Sequence, residues 1–454
     1  MSAGLIDRIV AVSAGVELGR VPNEVIEQAG HVIADTIGVS YGGAREPEMV
    51  RLIALAREQG LIGEKNDIAN GTSSSAAGNL RAATVHSAPN YYAASDYAAF
   101  LNASAGSFLE MDEGVRPTGH PAMHVVTAAV ATAERVGASG SDLLRAVIAG
   151  YETTSRLFRG FRLRYPVHPH GHIGGVGAAV AVALLEGVDP VVAARIAATS
   201  PLLTIWDACY DGATARNTWM GQAAQSAVRA AMMAKAGFIG SSQAFEIAFG
   251  QIAGELVDEE ALVEPLDYSG LGITRNYFKL HSACALNHAA LDAIFKLDIP
   301  EPARIERILV ETVSNNMKLN RQPQPNSLSG RFSLPYAMAT AAMVGRSDPD
   351  AFTFKPEVAE LAQRVEIRTA DDLESYWPNA SPARVTIWAD GESMMSQVSN
   401  PHGHFSEPVT GAELKAKFLE LVSESERGVE LWTRLTALTG VENCANLFTQ
   451  GKAK

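Results

Sequence analysis

Between Ala99 and Val125 the chain reads AFLNASAGSFLEMDEGVRPTGHPAMHV, two stretches of small residues interrupted by a charged loop. The first stretch, with Ala99, Ala103, Ala105 and Gly106, predicts a helix that another backbone can approach closely. The loop then carries Glu110, Asp112, Glu113, Arg116 and His120 within eleven positions. Gly114, Pro117, Gly119 and Pro121 keep it out of helix by backbone geometry. A second helix is predicted from Ala122 to Val136. Carboxylates and an imidazole on a stiff loop between packed helices suit proton transfer, because each titrates near neutrality once desolvated. The competing reading is an acidic loop that merely faces water.

At 454 residues the chain is long enough for more than one core, and 47% hydrophobic with 19% charged residues describes a buried, folded protein. The net charge of -13 argues against a nucleic-acid partner, which needs clustered Lys and Arg. It leaves room for an anionic substrate in a locally basic pocket. The three cysteines, Cys209, Cys284 and Cys444, lack CxxC spacing and form neither a disulfide framework nor a zinc knuckle. The N-terminus reads as an amphipathic helix and not as a signal peptide. No apolar run is long enough to cross a bilayer, so a cytoplasmic protein with no membrane partner is expected.

Helical periodicity runs from Leu5 to Gly43, Met49 to Glu58, Ala76 to Val85, Asn90 to Leu101, Ser141 to Leu157, Gly177 to Leu185, Pro190 to Ala198 and Met220 to Ala236. A turn is expected over Asp67–Gly71. Glu152 and Arg156 are spaced to pair at i, i+4. Near Leu266 the character changes. Arg307–Val313, Val365–Arg368, Ala383–Trp388 and Met394–Val398 read as strands, with helices between them. The fold class expected is therefore mainly α: an all-α domain over residues 1–264, a smaller α/β domain over 265–400, and C-terminal helices over 401–454 that return to the α domain.

Two further regions carry chemistry. His168, His170 and His172 alternate in RLRYPVHPHGHIGG. Pro169 and Gly171 make this a poor metal site, so no metal or other cofactor is expected. One of these histidines is expected to face a site while the others cap helices or meet solvent. Gly171, Gly174, Gly175 and Gly177 spell no nucleotide-binding motif and are expected to serve close helix packing. Arg216 precedes an alanine-rich helix, and Lys279 lies near the domain junction with His281, Cys284 and His288 behind it. Two such cations suit the clamping of a polycarboxylate.

The segments AAFLNASAGSFLEMDEG, GHPAMHVVTAAVATAERVGASGSDLLRAVIAGYETTSRL, HPHGHIGGVGAAVAVALLEGVD, GQAAQSAVRAAMMAKAGF, FSLPYAMATAAMVG and SNPHGHFSEPVTGAELKAKF, in that order, resemble the signature of the MmgE/PrpD family. The resemblance covers nearly the whole chain. It implies a large all-α domain with an inserted α/β lid domain, usually in a homodimer. The implied activity is lyase or epimerase chemistry on small polycarboxylates without a cofactor. His120 and His168 match the family's two His-Pro histidines, and Lys279 matches its site lysine. Asp112 matches one loop aspartate, and Glu110 replaces another. Arg216 stands where a lysine is usual, Gly114 where a hydroxyl is usual, and no tyrosine is assigned over Arg321–Pro325.

The function expected is a lyase acting on a small di- or tricarboxylate, by dehydration or decarboxylation, through proton transfer next to a carboxylate. His120, His168, Asp112, Glu110 and Lys279 are the expected catalytic residues. Arg216, Lys279, His170 and Arg116 are expected to bind substrate. The alternatives are an epimerase of an amino- or imino-dicarboxylate, and a non-catalytic metabolite-binding homologue.

Overall fold

The computed structural model describes residues 4–64, 82–86, 91–423 and 426–448. Nine long helices make up the first part among these residues: α1 (Leu5–Ser13), α2 (Asn23–Gly43), α3 (Pro47–Glu58), α4 (Ser95–Phe108), α5 (Pro121–Val136), α6 (Gly140–Gly160), α7 (Ile173–Glu186), α8 (Pro190–Thr199) and α9 (Trp219–Lys235). Helices α2, α4, α5, α6, α7 and α9 share one apolar core. Small residues let them approach closely. A methyl on Gly177 of α7 would collide with Thr154 and the Gly150 carbonyl of α6, and one on Gly43 would collide with the Ala105 carbonyl of α4. Gly174 lies under the His124 ring, so the glycines after the histidine segment do serve packing.

Local signals explain the ends. Ser139 accepts from the Asp142 amide while Asp142 reaches back to the Ser139 amide, a reciprocal cap that starts α6. Gly137 closes α5 at φ 71°, where a residue with a Cβ would be strained. The expected Glu152–Arg156 pair forms inside α6 at 2.7 Å and is fully buried.

The helix expected over Ala76–Val85 and the start of the one at Asn90 are corrected. Ala83–Thr84 and Tyr91–Ala93 are strands, Tyr91–Ala93 lying in the middle and pairing antiparallel with both Ala83–Thr84 and Ile62–Glu64, and helix α4 begins only at Ser95. The tyrosine pair at 91–92 favours strand over helix, which the alanine count concealed. The turn at Asp67–Gly71 and residues 76–81 lie outside the described residues.

Further along, four strands form a sheet: β1 (Ile305–Thr312), β2 (Val365–Thr369), β3 (Ala383–Ala389) and β4 (Glu392–Val398). Their order is β4-β3-β1-β2, with β1 and β2 parallel and the other pairs antiparallel. Alternate residues of β3, among them Val385 and Ile387, are buried. They join a second apolar core with α10 (His288–Ile294), α11 (Leu334–Val344) and α12 (Pro356–Ala362). Trp206, Cys209 and Tyr210 from the helical part also enter this core, so the two regions are not separable packing units. Helices α13 (Gly411–Val422) and α14 (Glu426–Thr436) pack back on α2, where Phe418 fills the space over Gly38. No helix among the described residues is long and apolar enough to cross a membrane.

Candidate active site

The loop after α4 is held by its carbonyls. Arg331 donates to the Phe108 carbonyl, the Ser282 hydroxyl to that of Leu109 at 2.6 Å, and Lys417 to that of Met111 at 2.8 Å. These three donors come from distant parts of the chain. Between them Glu110 takes φ 51°, a left-handed conformation that costs a non-glycine residue roughly 1–3 kcal/mol when its surroundings enforce it. Gly114–Val115 then pairs antiparallel with Asn276–Tyr277, which ties the loop to the segment carrying Lys279.

Four charges interlock behind this loop. Glu110 bridges Arg216 at 2.5 Å and Lys279 at 3.2 Å, while Asp112 meets Lys279 at 3.4 Å and the His120 Nδ1 at 2.7 Å. All of these carboxylates and cations are buried. Burial alone would raise the Asp112 carboxyl, but Lys279, His120 and Arg216 outweigh it and hold it well below the usual carboxylate range. Burial would likewise lower Lys279, yet Asp112 and Glu110 keep it raised and charged. Glu113 differs. Burial pushes it up to about 8 although the Tyr151 hydroxyl and the Ala122 amide both donate to it at 2.7 Å.

The hydrogen bonds assign the proton positions of the histidines. His120 Nδ1 lies 2.8 Å from the Glu113 carbonyl as well as against Asp112, so it carries the proton and Nε2 is left as an acceptor. His168 Nδ1 accepts from the His170 amide at 3.1 Å, and His170 Nδ1 accepts from the Arg216 guanidinium at 3.1 Å. Both therefore carry their protons on Nε2. Burial, reinforced by neighbouring cations, depresses both pKa values well below the ordinary histidine value and keeps the rings neutral. The rings of His120 and His170 meet edge to face at 4.5 Å, and those of His170 and His168 at 4.3 Å. His120 thus touches the His170 ring of a different loop, and His170 in turn touches His168.

A cavity of about 580 Å³ opens on this group. Its wall includes Glu110, Arg116, His120, His168, His170 and Arg216. Lys279 and Asp112 are absent from the wall and act on it from behind, through their ion pairs. Two of the three alternating histidines line the cavity, where one was expected. His172 instead accepts from the Ile173 amide at the start of α7.

Sequence reasoning passed over several residues. His124 donates to the His120 carbonyl at 2.8 Å and accepts from the Gly171 amide at 3.1 Å, so one buried ring joins the two histidine loops. Its i+4 spacing from His120 was the available signal. Lys318 reaches the cavity with its ammonium 4.8 Å from the Trp206 ring centre, and Arg116 lies 5.3 Å from that of Tyr277. Neither cation has a carboxylate partner among the described residues. At Gly114, where the resemblance implies a hydroxyl-bearing residue is usual, the Tyr277 phenol occupies the space that a side chain would take.

Asp112, His120 and His170 offer three ligand atoms within 4.8 Å of one another, enough to consider a cation. Lys279 on Asp112 and Arg216 on His170 place two positive charges beside that position, which opposes a divalent ion.

Neutral and carboxylate-backed imidazoles, in one cavity with cations that have no carboxylate partner among the described residues, are chemically suited to acid–base work on an anion, and they are set in a mainly helical fold. Residues 7–260 match the MmgE/PrpD N-terminal domain and residues 281–430 the MmgE/PrpD C-terminal domain; the chain belongs to the MmgE/PrpD family. It is 24% identical to a human protein named cis-aconitate decarboxylase, over 96% of this chain and 92% of that one. A protein of the same name from Aspergillus terreus (strain NIH 2624 / FGSC A1156) is 24% identical over 92% of this chain and 91% of its own. Both relatives are named for the decarboxylation of cis-aconitate.

Proposed function

We propose that the protein is a cofactor-independent lyase that moves a proton next to a carboxylate of a small di- or tricarboxylate, with decarboxylation or dehydration as the outcome. The observation that supports this is one cavity lined by His120, whose Nδ1 is held by Asp112, together with His168 and His170, whose Nδ1 atoms accept hydrogen bonds. His120, backed by Asp112, is the base. His168 or His170 is the acid. Arg116 and Lys318, lacking carboxylate partners, receive the substrate carboxylates, and Arg216 supports the charge that develops beside them. Glu110 and Lys279 hold Asp112 and Arg216 in place, and no metal enters the scheme.

In this reading residues 265–400 act as a lid over the loops of the helical part, one that shares a core with it through Trp206, Cys209 and Tyr210. Leu203, Ile205, Ile247 and Ile252 are exposed apolar residues on the helical part and favour the expected homodimer. Because base and acid sit on separate loops, an epimerase is the second reading: two groups on opposite sides of one carbon are what it requires. Incubation with cis-aconitate and other polycarboxylates in deuterium oxide, followed by NMR, tests both. Loss of one carboxyl with a solvent deuteron taken up by the carbanion it leaves, or loss of water from a hydroxylated polycarboxylate, supports a lyase. Deuterium incorporation with inverted configuration and no loss supports an epimerase. Neither exchange nor turnover with any polycarboxylate overturns both.

A further inference from the structure

We infer that the substrate carries an apolar group, of the size of a phenyl ring or a short branched alkyl chain, beside its carboxylates. This rests on the proposed carboxylate chemistry and goes beyond it. The imidazoles lie at the buried end of the cavity: His120, His168 and His170, with Arg216 and Glu110, are all nearly inaccessible. Its open part has a different character. There the wall is mostly apolar, with Leu163, Tyr165, Val167, Val257, Trp377 and Pro378 all partly or fully exposed beside Arg159 and Arg162. Tyr165 is 56% exposed and Val257 47%, a large apolar surface for residues that line a cavity.

The charges at that mouth are already matched. The two arginines at its rim are already paired, Arg159 with Glu264 at 2.9 Å and Arg162 with Glu255 at 2.5 Å. The unpaired cations, Arg116 and Lys318, are half-buried against Tyr277 and Trp206. A further carboxylate would find no free cation among the mouth residues. The volume agrees: about 580 Å³ lies within the range of clefts that enclose drug-sized ligands, well above the need of a compact polycarboxylate. The apolar residues also come from three separate segments, 163–167, 257 and 377–378, so they face the ligand from more than one side.

The test uses two unreactive probes, succinate and 2-benzylsuccinate, with binding to the full chain measured by calorimetry. Burying the added ring is expected to tighten binding roughly tenfold to hundredfold. Val257→Asp, which places a charge in the mouth, is expected to bring the ratio of the two affinities close to one, with its melting temperature checked against the parent. Benzylsuccinate binding no tighter than succinate, including neither binding, overturns the inference. A preference that survives Val257→Asp overturns the placement of the apolar group in this mouth. The lyase reading stands or falls separately, on exchange and turnover with cis-aconitate.

Discussion

His120 occupies the residue just before α5, yet its side chain makes no bond to the first turn of that helix. Glu113 does that work by accepting from the Ala122 amide, while the His120 ring is turned to Asp112 and the Glu113 carbonyl. His120→Ala is therefore expected to lower kcat by roughly 10²–10⁴-fold with little loss of stability. A variant that melts early but turns over at the parent rate would count against the assignment of His120 as base. Glu113 makes its own prediction. Its carboxyl is raised from an ordinary 4.5 to about 8, so between those values the folded protein holds a proton that the unfolded chain has released. That contribution to stability is complete below 4.5 and is lost as pH rises through 8. Melting temperatures of Glu113→Gln and the parent, followed from pH 4.5 to 8, are expected to diverge, with the parent falling more steeply. Parallel curves would mean that Glu113 is ionised throughout. The sequence made His120 and the loop carboxylates visible because glycine and proline isolate them from helix. It could not show that Lys279 and Asp112 lie behind the cavity wall, nor that Lys318 reaches it, since both depend on contacts between residues far apart in the chain.

Elements were legible where periodicity and capping agree. Helix α6 starts at its Ser139 cap and buries the Glu152–Arg156 pair that the i, i+4 spacing suggests. The strands of the β4-β3-β1-β2 sheet stand close to where β-branched runs place them, because alternation with buried Val385 and Ile387 is a two-residue signal. The short strands at 83–84 and 91–93 were hidden by alanine, whose helix preference tertiary pairing overrides. What no periodicity reveals is how α13 controls the loop. Lys417 on α13 pairs with buried Asp35 of α2 at 2.7 Å and donates to the Met111 carbonyl, between Glu110 and Asp112. Lys417→Met would leave the Asp35 carboxylate buried without its partner, which costs about 3–5 kcal/mol. Denaturant unfolding is expected to show that loss, and Asp35→Asn in the same background to recover much of it. Equal stability of Lys417→Met and the parent would show that the pair contributes nothing net.

At the scale of the whole molecule, the family's two matched regions meet at one loop, the second of them reaching it both near Ser282 and through helix α13. Its carbonyls are gripped by Ser282 and Arg331 from one side and by Lys417 from another, and its histidine partner segment comes from between α6 and α7. The C-terminal helices also complete the main core. Leu414, Phe418, Leu421, Trp432, Leu435, Leu438, Leu447 and Phe448 are all buried, most of them in the same cluster as α2 and α5. At about 1.5–3 kcal/mol for each large apolar side chain, their burial contributes on the order of 10–20 kcal/mol as an upper bound. A whole domain is stable by only about 5–15 kcal/mol. A chain ending at Pro408 is thus expected to lose cooperative unfolding altogether, seen as the disappearance of a thermal transition in calorimetry and the appearance of dye-binding apolar surface. Activity should vanish with it, because Gly38 and Gly42 of α2 would lose the side chains that cover them and Met111 its lysine. A truncated chain that still melts in one sharp transition would show that α2 and α5 are held by the remaining helices alone, and that the C-terminal helices serve the loop without supporting the core.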